Sequence, residues 1–266
     1  MNTTTLQEDL ADDFFWTTIQ TERDENGTIL LRQTVFDDNT TKVEEFADGN
    51  LSYVIQTDPG SAGNPSGAKP WESIETYYDA NGLIEARIEQ RDTGVTTTSE
   101  YDEGTLRRQI KEDLDEAGGP SDAQNWERIE TYYDIDGQLE ARVEVKDNGV
   151  TIEKEYEDGV LRFVTQQDGT QTSGPSDVKP WDSILTVYDN NGQLEARETF
   201  FDDGDITALL FEMGSRALKL ELDGDESETW LVRETFYDDL GQVTEVNTYD
   251  TAADVPPDYG FLTPSM

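Results

Sequence analysis

The chain is predicted to be an all-β tandem repeat, and three features predict it. Tryptophans recur at Trp16, Trp71, Trp126 and Trp181, and the differences (71−16, 126−71 and 181−126) are all 55, the mark of a repeat array. Between them run short stretches rich in Thr, Tyr, Ile and Val that alternate with period two, the strand pattern. Asp/Asn–Gly pairs punctuate these stretches at matching places, as hairpin turns require.

The unit 71–125 shows the elements in order. Four extended runs are expected at Trp71–Tyr78, Leu83–Arg91, Val95–Tyr101 and Thr105–Lys111. Asp79-Ala80-Asn81-Gly82 reads as a type I turn with Gly82 in the left-handed bulge position. That register sets Tyr78 against Ile84, Thr76 against Ala86 and Ile74 against Ile88 on an apolar face. On a charged face it sets Tyr77 against Glu85 and Glu75 against Arg87. Glu103-Gly104, with its counterparts Asp48-Gly49 and Asp158-Gly159, reads as a two-residue type I′ turn. Tyr101–Leu106, Phe46–Leu51 and Tyr156–Leu161 then become opposed pairs, together with Glu100–Arg107 and Glu155–Arg162. Each unit is thus a four-stranded antiparallel meander, closed by a longer connector: 59–70, 114–125 and 169–180.

Laid along the chain, this gives an N-terminal arm or cap (1–15), one array (16–250) and a C-terminal tail (251–266). The array divides into units 16–70, 71–125, 126–180 and 181–229 and a partial unit 230–250, the early Trp230 reflecting a short fourth connector. Two architectures satisfy the arithmetic. A sheet that curls over its apolar face into a shell needs little hydrophobic residue, and only 34% of the chain is hydrophobic. A five-bladed β-propeller also uses three tight turns and one long link per unit. Its inner strands, however, would bury Glu75 and Glu130, and the final half-unit leaves the ring short. The curled sheet is the expected form.

Composition narrows function. Asp+Glu number 60 against 19 Lys+Arg, a formal charge of −41, so nucleic acid and anionic lipid are not expected partners. No run approaches the roughly 20 apolar residues of a bilayer span, so membrane insertion is not expected. There is no Cys and no His, which removes thiolate nucleophiles, zinc–sulfur sites and imidazole chemistry. The opening residues have no basic and apolar leader pattern, so export, if it occurs, is expected by a route other than Sec. The spread of acid residues suits a salty or calcium-containing milieu that screens their repulsion: an extracellular space or a cell or virion surface, with the cytoplasm as the alternative.

Tyr78-Asp79-Ala80-Asn81-Gly82-Leu83, followed by Gly94 and Tyr101-Asp102-Glu103-Gly104-Thr105-Leu106, resembles the tyrosine–aspartate (YD) repeats of rearrangement-hotspot and teneurin-type proteins. Tyr133-Asp134-Ile135-Asp136-Gly137 with Gly149 and Tyr156 repeats the likeness, and the aromatic–x–x–Gly turn is similar to that of MORN-variant repeats. The resemblance implies a β-hairpin strip wound into a shell, of the kind found in surface, toxin-delivery and adhesion proteins. The chain departs from that pattern in its 55-residue period, its Pro-rich connectors and the general lack of Arg after the turn Gly.

Two sets of candidate site residues stand out. Trp71, Trp126 and Trp181 with Tyr77 and Tyr132 would form an aromatic series able to receive sugar rings; the competing role is to seal the joints between units. The turn residues Asp79, Asn81, Asp134, Asp136, Asp189 and Asn191 offer oxygens to calcium, but only two or three per turn where the ion takes six to eight. Asp and Asn are also what the turn geometry itself asks for. No organic cofactor is expected, and calcium is the one ion this donor set could take. The expected function is a non-catalytic structural or adhesive module that binds a protein or a glycan and can self-associate through its incomplete last unit. A calcium-responsive secreted module and a carboxylate-only glycan-active enzyme are the alternatives.

Overall fold

The computed structural model describes residues 1–11, 13–59, 69–113, 124–169 and 179–256. The interiors of the three long connectors and the last ten residues of the tail lie outside that set, with the Pro-Ser phrases 64–70 and 174–180 largely among them. All regular structure among the described residues is β. Two units divide the chain, 1–138 and 139–266. Unit 1 holds β1 (Thr3–Glu8), β2 (Trp16–Arg23), β3 (Ile29–Phe36), β4 (Thr41–Ala47), β5 (Asn50–Thr57), β6 (Trp71–Tyr78), β7 (Ile84–Arg91), β8 (Val95–Asp102), β9 (Thr105–Asp113) and β10 (Trp126–Tyr133). Unit 2 holds β11 (Leu139–Lys146), β12 (Val150–Glu157), β13 (Val160–Asp168), β14 (Trp181–Tyr188), β15 (Leu194–Phe201), β16 (Ile206–Glu212), β17 (Ser215–Leu222), β18 (Val232–Tyr237) and β19 (Val243–Tyr249).

Within each unit every strand pairs antiparallel with its chain neighbours. The strands of 71–125 match the expected runs to within two residues at each end. The arm is part of the ladder, because β1 pairs with β2. Successive repeats also join edge to edge, through β5–β6 and β9–β10 in unit 1 and through β13–β14 and β17–β18 in unit 2. That overturns the propeller, whose blades are separate sheets. Neither unit closes into a shell among the described residues, since the first and last strands of each do not pair with one another.

The turns form as their residues dictate. Asp48-Gly49, Glu103-Gly104 and Asp158-Gly159 all have positive φ at both positions, the requirement of a type I′ turn. Met213-Gly214 makes the same turn without an Asp, Asn or Glu to announce it. Gly82 sits at φ 82, and its amide donates to the Asp79 carbonyl at 3.0 Å while the Asp79 amide donates to Leu83 at 2.8 Å.

Register departs from expectation one residue beyond each turn. Tyr78–Ile84, Tyr101–Leu106, Phe46–Leu51 and Tyr156–Leu161 are opposed as expected. The return strand then carries an extra residue: Glu85 in β7, Arg107 in β9, Ser52 in β5 and Phe163's neighbour Arg162 in β13. Each is a β-bulge, which bends its strand and raises the local twist. Beyond the bulge Tyr77 faces Ala86, Thr76 faces Arg87, Glu75 faces Ile88 and Ile74 faces Glu89. Glu100 likewise faces Arg108 and Glu155 faces Phe163. One extra residue exchanges the faces of everything after it. The expected division into one apolar and one charged face is therefore wrong.

Two mixed faces result. In unit 1 a transverse row runs Thr21, Arg32, Glu44, Val54, Thr76, Arg87, Ser99, Gln109, Thr131, and a second row on that face runs Ile19, Thr34, Lys42, Gln56, Ile74, Glu89, Thr97, Lys111, Ile129. Trp71, opposite Arg91, shares this face, hereafter the tryptophan face. The other, the tyrosine face, carries Glu22, Glu45, Tyr53, Tyr77, Glu100, Arg108 and Tyr132 in one row, with Glu75, Ile88 and Glu130 in the next.

Burial follows the faces. The buried residues of unit 1 (Thr21, Thr34, Thr40, Val54, Asp58, Thr76, Val95, Ser99 and Ile129) all belong to the tryptophan face. They are short, and the Arg, Lys and Gln stems in the same rows lie beside them, so aliphatic stems shield Thr and Val while the charged ends stay wet. In unit 2, β16 to β18 bury Ala208, Leu220, Leu222 and Val232 on one face of that unit, and Ile206 and Leu218 pack against the Ala208–Leu220 pair. The apolar stretch Ala208–Phe211 lies within β16 of this cluster.

Candidate functional site

The bulges and turns decide where the candidate residues stand. Trp71 and Trp126 lie at the start of β6 and β10 on the tryptophan face, and Trp181 opens β14 opposite Phe201. Tyr77 and Tyr132 stand on the tyrosine face, so the expected aromatic series is split between the two sides of unit 1.

On the tyrosine face the phenols serve carboxylates. Tyr53 and Tyr77 both donate to Oε2 of Glu75, at 2.9 and 2.8 Å, and their rings lie 5.0 Å apart. Burial, then the Glu75 hydrogen bond, pushes the Tyr53 phenol well above its ordinary range; for Tyr77 the Glu75 bond comes first and burial second. Tyr132 donates to Glu130 at 2.5 Å, which raises the phenol, while Arg108 binds the same carboxylate at 2.7 Å and lies over the Tyr132 ring. Burial works against the Glu130 carboxylate, but the Tyr132 hydroxyl and the Arg108 guanidinium outweigh it and hold the group below its usual value.

The turn residues are occupied with the turns. Asp79 Oδ1 accepts the amides of Asn81 and Leu83, both at 2.8 Å, and Asp189 Oδ1 accepts those of Asn191 and Gln193 at the same distance. Asp134 accepts from Asp136 at 2.9 Å and Gln138 at 2.8 Å. The backbone bonds from Leu83 and Gln193 are the main reason the Asp79 and Asp189 carboxyls lie below their ordinary range. These six residues come together only two at a time, one pair per turn. A closer group is Asp205, Asp223 and Asp225, whose carboxylate oxygens lie within 4.8 Å of one another. Their oxygens also accept amides: Gly224 on Asp205 at 2.9 Å, Ser227 on Asp225 at 2.9 Å and Glu228 on Asp223 at 2.9 Å. Through these bonds the trio ties a junction between strands.

Asp223 belongs to a series that sequence reasoning missed. Asp58, Asp113, Asp168 and Asp223 are spaced by 55 (113−58, 168−113, 223−168), the tryptophan period. Asp58 and Asp168 are buried, and each accepts the amide of the connector residue two before the next tryptophan: Lys69 to Asp58 at 2.8 Å and Lys179 to Asp168 at 3.1 Å. A buried carboxylate thus ties the returning connector to the strand it left. The signal was present as a strict period, hidden among 60 acidic residues.

Two concave features lie on the tryptophan face of unit 1, and two more lie in unit 2, along Glu212–Ala217 with Tyr237 and beside Glu157, Arg162 and Asn190. A shallow groove of about 480 Å³ is lined by Arg87, Arg91, Lys111, Glu89, Tyr101 and Trp126 among others. A second, of about 490 Å³, includes Arg23, Arg32, Lys42, Glu44 and Trp16. In the first, Glu89 binds Arg87 at 3.2 Å and Arg91 at 2.9 Å. In the second, Glu44 binds Lys42 at 2.7 Å and approaches Arg32 at 3.7 Å. Arg32 and Arg87 stand one period apart (87−32 = 55) in one row, four strands from each other, or about 19 Å at the usual strand spacing. No family model matches the chain, and no curated protein matches it in sequence.

Proposed function

We propose that this chain is a non-catalytic interaction scaffold, an acidic β-repeat surface that engages a protein or a glycan across several repeats at once. The observation that supports it best is the set of transverse rows on an open antiparallel ladder. Equivalent side chains such as Arg32 and Arg87 return at a fixed spacing on an accessible face, and a partner that spans two of them gains from effective concentration. Repeat architectures lend themselves to extended binding surfaces of this kind. The likeness of the Tyr78–Leu83 and Tyr101–Leu106 segments to YD repeats favours a surface or adhesive role, outside the cell or on a cell or virion surface.

The test is to pass the labelled full chain over arrays of glycans and of proteins, then to assay every hit for turnover. Saturable binding without turnover is the expected result. Silence on both arrays would remove the scaffold reading, and turnover of a hit would replace it with an enzyme.

A further inference from the structure

Resting on that reading, we infer that the two grooves on the tryptophan face of unit 1 are paired subsites for an acidic oligosaccharide, one that carries carboxylate or sulfate groups on its rings. The first ground is local charge. Each groove brings three cations to one carboxylate, in a chain whose formal charge is −41. Six of the 19 basic residues stand in these two places: Arg87, Arg91 and Lys111 in one, and Arg23, Arg32 and Lys42 in the other. On the tyrosine face the balance is the reverse, with Glu22, Glu45, Glu75, Glu100, Glu112 and Glu130 against Arg108 and Arg128.

The second ground is donor availability. Glu89 is shared by two guanidiniums and satisfies only part of each, so the groove keeps an excess of positive charge. No carboxylate of the described residues lies within 4.0 Å of the Lys111 ammonium, and Arg87 Nε is buried without an acceptor. The Arg87 side chain is 42% exposed, so its guanidinium can donate to an acid group that enters the groove. The third ground is shape. Both grooves are open and shallow, and each has an indole at its margin, Trp126 or Trp16. A flat apolar ring beside cations suits a sugar ring that stacks on one face and presents an acid group at its edge.

The net charge decides among anions. Nucleic acid carries a continuous line of phosphates and would meet the acidic turns around the grooves, whereas isolated charges more than a Debye length of about 8 Å from those turns are largely screened from them at physiological salt. A sugar acid with isolated charges can therefore reach the grooves where a denser polyanion is turned away.

The experiment uses the full chain and a fluorescein-labelled hexagalacturonate, with its fully methyl-esterified form and a sulfated hexasaccharide as the other arms, followed by fluorescence anisotropy in 0.15 M salt. The expected result is binding of the carboxylated or the sulfated hexasaccharide, the stronger of the two identifying the acid group, with the neutral ester weaker by about tenfold or more. Lys111→Gln and Lys42→Gln should each weaken binding several-fold and together by more than the product, because the subsites act on one ligand. Trp126→Leu, which leaves every charge in place, should also weaken it and serves where a charge variant does not fold by circular dichroism. Equal affinity for the ester and the acid, or no binding of either acidic hexasaccharide, would overturn the inference. If the arrays return a neutral glycan or a protein while the acidic sugars do not bind, the inference falls and the scaffold reading stands; silence everywhere removes both.

Discussion

Strands β2 to β9 of unit 1 and strands β16 to β18 of unit 2 share one ladder geometry but are held by different chemistry. The first group buries threonine, serine and valine beside the stems of arginines and lysines, and its carboxylates are tied to phenols and guanidiniums. The second adds an apolar cluster, Leu220 and Val232 at 1% and 0% exposure with Ala208 and Leu222, beside a buried Glu234 that accepts from Tyr249 and Asn247. The backbone hydrogen bonds of an antiparallel meander do not demand a particular side-chain layer. They can be supported by apolar area in one place and by aliphatic stems and polar contacts in another.

The largest test of this contrast is to truncate one buried residue on each side. Leu220→Ala should cost about 2–5 kcal/mol, the usual range for a buried leucine. Thr76→Ala should cost about 1 kcal/mol or less, because only a small polar group and a methyl are lost. Urea unfolding of the two variants measures both, and equal losses would erase the distinction.

Backbone crowding gives the next effect. A Cβ on Gly224 would stand 2.0 Å from the Gly204 carbonyl oxygen, whereas one on Gly82 meets nothing within 4 Å and is opposed only by its φ of +82. Gly224→Ala should therefore lower the melting temperature clearly more than Gly82→Ala, whose strain is about 1 kcal/mol. A reversed order would mean that the two strand ends around Gly204 separate easily.

In unit 1, Asp38 should make stability depend on pH. The Thr40 hydroxyl first, then Lys69 at 3.0 Å, holds the Asp38 carboxyl down from its ordinary 3.8 to about 2. A group with a depressed folded-state pKa contributes stability that is present above the unfolded value and is lost as pH falls through the folded one. The stability difference between the parent chain and Asp38→Asn should accordingly shrink between about pH 4 and pH 2, as read from urea midpoints. A difference that stays constant over that window would remove Asp38 from the acid response.

The smallest effect lies at the alkaline end. Tyr53 and Tyr77 have raised phenol pKa values, Tyr53 chiefly through burial and Tyr77 chiefly through Glu75, so what they contribute is present below the ordinary 10.0 and is lost as pH rises through the folded values. Glu75→Gln should bring the onset of phenolate absorbance to lower pH, more for Tyr77 than for Tyr53. An unchanged titration curve would show that the Glu75 bonds are too weak to matter.

Legibility in the sequence varied with the range of the interaction. Strand limits and turns could be read because their causes are local: alternation over eight residues, and Gly or Asp at positions of positive φ. Met213-Gly214 marks the boundary of that logic, since its turn is made by Gly214 and the flanking ladder without a polar first residue. The bulges could not be read, because Glu85 and Arg107 look like ordinary members of an alternating strand. Without the bulges, alternation alone sets Glu75 opposite Arg87 and puts the tyrosines and tryptophans in one series. The aspartates at 58, 113, 168 and 223 could have been read from their period, but nothing in one residue's neighbourhood separates a buried carboxylate from a solvated one.

The sequence by itself determined the 55-residue unit, its four strands and the hands of its turns, since glycine, asparagine and aspartate act on φ and ψ within a few bonds. Only the tertiary structure decided the faces. An extra residue in a return strand is accommodated by hydrogen bonds and twist shared with the neighbouring strands, and it is that shared adjustment which brings Arg87, Arg91, Lys111 and Trp126 to one groove and sends Tyr77 and Tyr132 to the other side.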